Sequence, residues 1–255
     1  MTALFAIGAS TALVALFAAG CVTDGENDSI LVLAAASMTD ALVEIGDAYE
    51  AESGVNVTFS FGGSNALARQ VEFGAPADAV IFAGSGPMDQ LEASGDVVAG
   101  SRDDLLSNRL VVIGGMGASA LSELAGLDEL DGRIALADPA LAPAGFYAKQ
   151  SLESVGLYER FESRLIPTLD VRAAVGAVDT GGASFGLVYA TDASANSGVE
   201  VLLVVSEDLH DRIVYPAAVV EGSGRGDAAA EFLDFLGEDR SLVIFETYGF
   251  EVPGG

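Results

Sequence analysis

The stretch ILVLAAASMTDALVEI, residues 30–45, sets the fold class. ILVLAAA at 30–36 is apolar without interruption and of strand length, the pattern of a strand covered on both faces of a sheet. Ser37-Met38-Thr39-Asp40 then fits the S-x-x-D signature of a helix start. Leu42, Ile45 and Tyr49 follow at helical spacing, and Gly54 closes the segment. Outward from this unit the alternation continues. Val55, Val57, Phe59 and Phe61 interleave with polar residues as a second strand, and Gly62-Gly63 leads into Ser64 and a helix through Leu67, Ala68 and Val71. AVIFA at 79–83 is a third strand, followed by a helix opening at Pro87. Strands alternating with helices predict an α/β fold with parallel sheets.

The second half has the same style. RLVVIG at 109–114, RIALA at 133–137, FGLVYA at 185–190 and VEVLLVV at 199–205 read as strands, and IVYPAAVV at 213–220 is a further apolar run. Pro143-Ala144-Gly145 opens a helix carrying Tyr147, Leu152 and Val155, and Asp170 is placed to N-cap a helix over 171–178. Two helices close the chain, near 227–236 and 240–247.

Composition removes several function classes. The 255 residues carry 38 Asp+Glu against 11 Lys+Arg, a formal net charge of −27, and Lys149 is the one lysine. Nucleic-acid binding needs basic clusters to displace phosphate counterions, and none is present. Cys21 and His210 are the sole cysteine and histidine, too few for a four-ligand structural zinc site. A hydrophobic content of 51% with 19% charged residues is a folding composition, not a disordered one. Acidity with almost no lysine suggests a high-salt habitat, where screening offsets self-repulsion.

The amino terminus has a separate role. Residues 3–19 are uncharged and apolar, shorter than the roughly 20 residues of a bilayer span and suited to a signal-peptide core. Residues 1–20 are therefore expected to be a signal peptide, with export of the protein to the periplasm or cell surface. Ala18-Ala19-Gly20 before Cys21 resemble a bacterial lipobox, which makes Cys21 a lipid anchor at the membrane surface and residues 21–29 a tether. The alternatives are an ordinary secretory signal or an uncleaved anchor, with Cys21 incidental.

Signals for catalysis are weak. There is no G-x-S-x-G elbow or S-x-x-K pair, and GGMG at 114–117 lacks the Lys-Ser/Thr ending of a P-loop. His210 sits in SEDLHDR, which reads as a surface turn. Small residues at strand-to-helix junctions are more suggestive: Ser37, Ser64, Ala144 and Val171 each fall at or beside a helix start. A helix N-terminus offers unpaired N–H donors and a partial positive charge, which suit an anion. Taken one at a time, plain capping explains such residues equally well.

The segment AAASMTDALVEI at 34–45 resembles the first strand–helix motif of the bacterial periplasmic molybdate-binding proteins. The likeness continues through FGGSNALARQVEFGAPADAVIFA at 61–83, LLSNRLVV at 105–112 and DPALAPAGFYAKQSLESVG at 138–156. It extends to DVRAAV at 170–175, GLVYATDA at 186–193, YPAAVVEG at 215–222 and IF-x-x-YGF at 244–250. The resemblance implies a type II periplasmic-binding-protein fold, with two α/β lobes, a ligand cleft between them and a two-strand hinge. Lobe one would take residues 30–108 plus 215–252 and lobe two 109–214, with RLVVIG and IVYPAAVV as candidate crossing strands.

Carried over position by position, the resemblance makes Ser37 and Ser64 hydroxyl donors from lobe one. Ala144 and Val171 become backbone-amide donors from lobe two, and Tyr189 adds its hydroxyl. Asn65 and Ala66 stand where relatives carry serine and threonine, and Gly62-Gly63 is expected to loosen the loop before Ser64. Asp170 is expected to cap and to pair with Arg172, and Arg69 and Arg172 to position helices through carboxylates. The implied function is capture of molybdate or tungstate by a monomer and delivery to an ABC permease for molybdenum-cofactor synthesis. No enzyme activity and no cofactor are expected, and molybdenum enters only within the bound oxyanion. The alternatives are a receptor for another tetrahedral oxyanion such as sulfate, or an exported α/β enzyme acting on a phosphorylated or sulfated compound.

Overall fold

The computed structural model describes residues 29–252. The expected signal peptide and the expected anchor at Cys21 lie outside the described residues. From the amino end run β1 (Ser29–Ala35), α1 (Thr39–Ser53), β2 (Asn56–Gly62), α2 (Ser64–Glu72), β3 (Ala79–Ile81), α3 (Ser85–Ser94) and β4 (Asp103–Ser107). The chain continues through β5 (Leu110–Gly115), β6 (Ile134–Ala137), α4 (Pro143–Ser154), α5 (Tyr158–Phe161), β7 (Leu165–Thr168), α6 (Val171–Asp179), β8 (Phe185–Tyr189), α7 (Ala190–Ser194) and β9 (Val199–Val204). It ends with β10 (Val214–Val219), α8 (Gly226–Leu236) and α9 (Asp239–Thr247).

These strands form two five-stranded sheets, ordered β2-β1-β3-β10-β4 and β7-β6-β8-β5-β9. The expectation of parallel sheets is corrected: both are mixed. β1 pairs in parallel with β2 and β3, and β6 with β7 and β8, as their intervening helices require. β10, however, lies antiparallel to both β3 and β4, and β5 lies antiparallel to β8 and β9. Each of these strands enters its sheet after crossing from the other lobe and arrives from the opposite end. The first crossing is only Asn108 and Arg109, between β4 and β5; the second spans 205–213, between β9 and β10. RLVVIG and IVYPAAVV are thus the strands that receive the chain after each crossing. β4 has no hydrophobic alternation, so its strand character is not visible in DDLLS.

The double-faced burial inferred for residues 30–36 is present. Ile30, Val32 and Ala34 join one apolar cluster with Leu42, Ile45 and Tyr49 of α1 and Phe232 of α8. Leu33 instead joins Leu67 and Val71 of α2 and Met88 and Leu91 of α3. Each such side chain contributes about 1.5–3 kcal/mol on burial. Pro216, in a strand flanked on both sides, is accommodated by a register shift at Tyr215/Pro216, where a missing N–H is tolerated. In lobe two α4 and α6 both pack on β6 and β8. The two layered lobes therefore face each other with the carboxyl ends of β1, β2 and β3 opposite those of β6, β7 and β8.

Candidate functional site

Each strand end feeds a helix start. After β1 the chain makes a 3-10 turn over Ala36–Met38 before α1, so Ser37 lies in that turn and not at a helix cap. The S-x-x-D capping expectation is therefore corrected. α1 has no side-chain cap, Thr39 Oγ1 donates to Ala36 O at 2.8 Å, and Ser37 Oγ lies 3.1 Å from Tyr215 Oη. Ser64 is the first residue of α2, and its Oγ accepts a hydrogen bond from the Ala83 N–H at 3.0 Å. Its hydroxyl proton is thereby left to point elsewhere.

Pro143 is the first residue of α4 and has no N–H, so Ala144 supplies the first amide of that helix. A Cβ on Gly145 would stand 1.9 Å from Ala137 O, so only glycine lets this helix start sit against the end of β6. Val171 opens α6, and the Asp170 carboxylate caps it by accepting from the Ala173 N–H at 2.9 Å. Tyr189 ends β8 with its hydroxyl buried and without a protein partner.

All five of these residues line one cavity between the lobes, whose free volume is only about 10 Å³. That is far below the roughly 300–1,000 Å³ of sites for drug-sized ligands, so only a compact ion suits it. Its wall combines helix starts from α2, α4 and α6, the turn before α1, and the hydroxyls of Ser37, Ser64 and Tyr189. No Lys or Arg side chain lines it, and Asp170, occupied as a cap, is its one formal charge. Burial drives the Tyr189 phenol well above its ordinary ionisation range, so it stays a proton donor. Helix starts and hydroxyls from both lobes thus meet at one cavity with no Lys or Arg side chain in its lining.

The lobes are closed over it. Ala66 N–H donates to Leu141 O at 3.1 Å, Asn65 Nδ2 to Pro139 O at 3.1 Å and Arg69 Nη1 to Ala140 O at 3.0 Å. A Cβ on Gly63 would meet Leu141 O at 2.5 Å and Leu169 O at 3.0 Å. The expectation that Gly62-Gly63 loosens a loop is thus corrected: Gly63 permits the backbone of lobe two to approach. Arg69 bonds to a backbone carbonyl, not to a carboxylate. Arg172 does not pair with Asp170; it pairs with Asp40 at 2.6 Å and Asp192 at 2.5 Å, because Asp170 is turned inward to its own helix start.

Three further polar residues escape sequence reasoning. Asp192 is fully buried, and burial lifts its carboxyl to about 7 despite Arg172. The available signal was a lone carboxylate inside the apolar run GLVYATDA. Tyr215 stands behind Ser37, and Asn108 stands behind Tyr215. His210, expected in a surface turn, is buried. Its ring packs 5.8 Å from that of Tyr147, and its Nδ1 lies 2.8 Å from Asp211 O. Among the described residues no group of three or more His, Cys, Asp or Glu could hold a metal ion.

A two-lobed α/β receptor, hinged by two crossings and closed on a small donor-lined cavity, is a solute-binding protein with the type II fold. Residues 30–251 match the bacterial extracellular solute-binding proteins, and the chain belongs to that family. It is 38% identical to the molybdate-binding protein ModA of Escherichia coli over 234 residues, covering 89% of this chain and 90% of that one. With ModA of Haemophilus influenzae it shares 36% identity over 231 residues, covering 87% and 89%. Within the family the chain stands with these molybdate-binding proteins. In fold it is similar to the periplasmic molybdate-binding protein of Azotobacter vinelandii, with a TM-score of 0.79 and 21% identity over 88% of this chain and 99% of that one.

Proposed function

We propose that this chain captures molybdate, and tungstate alongside it, outside the cytoplasm and delivers it to the permease of an ABC importer. One observation carries the assignment: five residues with hydroxyl or helix-start amide donors, drawn from both lobes, line one cavity that no Lys or Arg side chain enters. A tetrahedral dianion without a proton is satisfied by donors alone. Hydrogen phosphate would bring a proton needing an acceptor, and the one carboxylate in the lining, Asp170, has its Oδ1 committed to the Ala173 N–H. Ser37, Ser64 and Tyr189 would donate through hydroxyls, and Ala144 and Val171 through backbone amides.

The protein acts by reversible capture, as its membership of a solute-binding family supports. It works as a monomer, held near its permease by a lipid on Cys21, which raises the local concentration at the transporter. Mass spectrometry of the mature amino terminus tests that anchor; cleavage away from Cys21 refutes it. Calorimetric titration with molybdate, tungstate, sulfate and phosphate tests the ligand. Tight binding of the first two, weak binding of sulfate and weaker, still measurable binding of phosphate is expected. Absence of tight molybdate or tungstate binding overturns the assignment.

A further inference from the structure

A hydrogen-bond chain runs from the hinge to the back of the cavity, and its direction can be worked out atom by atom. Asn108 occupies the shorter crossing between β4 and β5. Its Oδ1 accepts from the Arg109 N–H at 2.8 Å, a group that only donates, so the orientation of the amide is fixed. Its Nδ2 therefore donates, to Thr191 Oγ1 at 2.9 Å and to Tyr215 Oη at 3.0 Å. Tyr215 is fully buried at the start of β10, and the other atom its hydroxyl reaches is Ser37 Oγ at 3.1 Å. Having accepted from Asn108, the phenol gives its own proton to Ser37. Burial holds its ionisation far above the usual tyrosine range, so that proton stays in place. Ser37 lines the cavity, and with its oxygen engaged from behind its own proton is directed inward.

We propose that Asn108 and Tyr215 are positioning residues that lock the Ser37 hydroxyl as a donor and thereby select oxyanions that carry no proton. The inference rests on the cavity being the molybdate site. A hydroxyl free to rotate either donates or accepts, and would tolerate hydrogen phosphate as readily as a bare dianion. A hydroxyl held from behind by Tyr215 has one lone pair engaged there and its proton turned toward the cavity, which favours a ligand oxygen that accepts, and bonds in series polarise one another. The chain also starts at the hinge, so specificity at the cavity wall depends on residues that contact no ligand.

The test titrates molybdate and inorganic phosphate into wild type, Tyr215→Phe and Asn108→Asp, with unliganded melting temperatures as a control. Tyr215→Phe keeps the ring packed against Phe250 and frees Ser37 to turn. The molybdate-to-phosphate affinity ratio at pH 7.5 is expected to fall about tenfold. Asn108→Asp replaces a donor by an acceptor and reverses the chain, so molybdate binding at pH 8 should weaken more than in Tyr215→Phe. It should recover toward pH 6 as the introduced carboxyl takes up a proton, and Tyr215→Phe should show no such recovery. An unchanged ratio in Tyr215→Phe overturns the proposal. If that variant does not fold, Asn108→Asp decides alone, and a loss that is the same at pH 8 and pH 6 overturns it. Failure of wild type to bind molybdate overturns the site itself and is read separately.

Discussion

Arg172, at the start of α6 in lobe two, reaches across the cleft to Asp40 at the start of α1 in lobe one, with Nη2 2.6 Å from Oδ2. The contact ties the two lobes together with a charge-assisted hydrogen bond, among the strongest a side chain makes. Both partners remain partly exposed, at 30% and 42%, so water and salt compete for them. Partly exposed pairs are worth about 0–1 kcal/mol. A tie of that size biases closure without preventing release. Asp40→Asn is expected to weaken molybdate binding about two- to fivefold at low salt. In 1 M salt, where screening acts within about 3 Å, the variant and wild type should converge. Titrations at the two salt concentrations check this, and a loss that persists undiminished at high salt would show that Asp40 acts by another route.

The two side chains that offer hydroxyls without an acceptor differ in what they do for the empty protein. Tyr189 buries a hydroxyl with no protein partner, which costs stability until an anion accepts from it. Tyr189→Phe should therefore leave the unliganded melting temperature level or slightly raised, while molybdate affinity drops about tenfold or more. Ser64 is different because its oxygen accepts from Ala83 N–H. Ser64→Ala strands that buried amide and should lower the melting temperature by the equivalent of about 1–3 kcal/mol, with a comparable loss of affinity. Thermal melts with and without molybdate separate the two cases. Equal destabilisation by both substitutions would mean that Tyr189 has a structural partner.

Closure itself can be tested at Gly63. Its added Cβ would fall 2.5 Å from Leu141 O and 3.1 Å from Ala142 Cβ, both on the opposite lobe. The glycine's own φ of −69° is ordinary, so alanine strains nothing until the lobes meet. Gly63→Ala should leave the unliganded melting temperature within a degree or two of wild type. The clash, of the order of 1–3 kcal/mol for overpacking, should appear as a five- to hundredfold loss of affinity. A variant that binds molybdate normally would show that the closed approach at Gly63 is not part of the bound state.

The contrast between Gly63 and its neighbours shows what the chain discloses in sequence and what it does not. Apolar runs such as 30–36 and helical spacing such as Leu42, Ile45 and Tyr49 are local properties, so strands and helices follow from them directly. Ser37, Ser64, Ala144 and Val171 stand at junctions for the same local reason, since small residues there leave donors uncovered. Direction of pairing is not local. β5 and β10 are antiparallel because of where the chain comes from, and nothing inside LVVIGG or VYPAAV records that. Asp40 as a partner of Arg172, and the partners of Arg69 and Gly63, lie on the other lobe, more than 70 residues away in sequence. Sequence distance hides such contacts, and plausible neighbours such as Asp170 are mistaken for them.

Asp192 makes the pH dependence of stability a test of the buried network. Its carboxyl is lifted from an ordinary 3.8 to about 7, first by burial, with Arg172 only partly offsetting this. A group whose folded pKa is raised holds its proton more tightly in the native state than in the unfolded chain. Its stabilising contribution is complete below about pH 4 and is lost as pH rises through 7. Three units correspond to roughly 4 kcal/mol at most. Asn cannot titrate but keeps the shape of the protonated acid, so Asp192→Asn should match wild type near pH 4, exceed it progressively above that, and keep the full excess near pH 8. Urea unfolding of both proteins across this range reads the difference directly, with the other carboxylates cancelling between them. A wild-type-minus-variant difference that stays flat from pH 5 to 8 would mean that Arg172 holds Asp192 ionised throughout, and that the ion pair, not burial, dominates at this site.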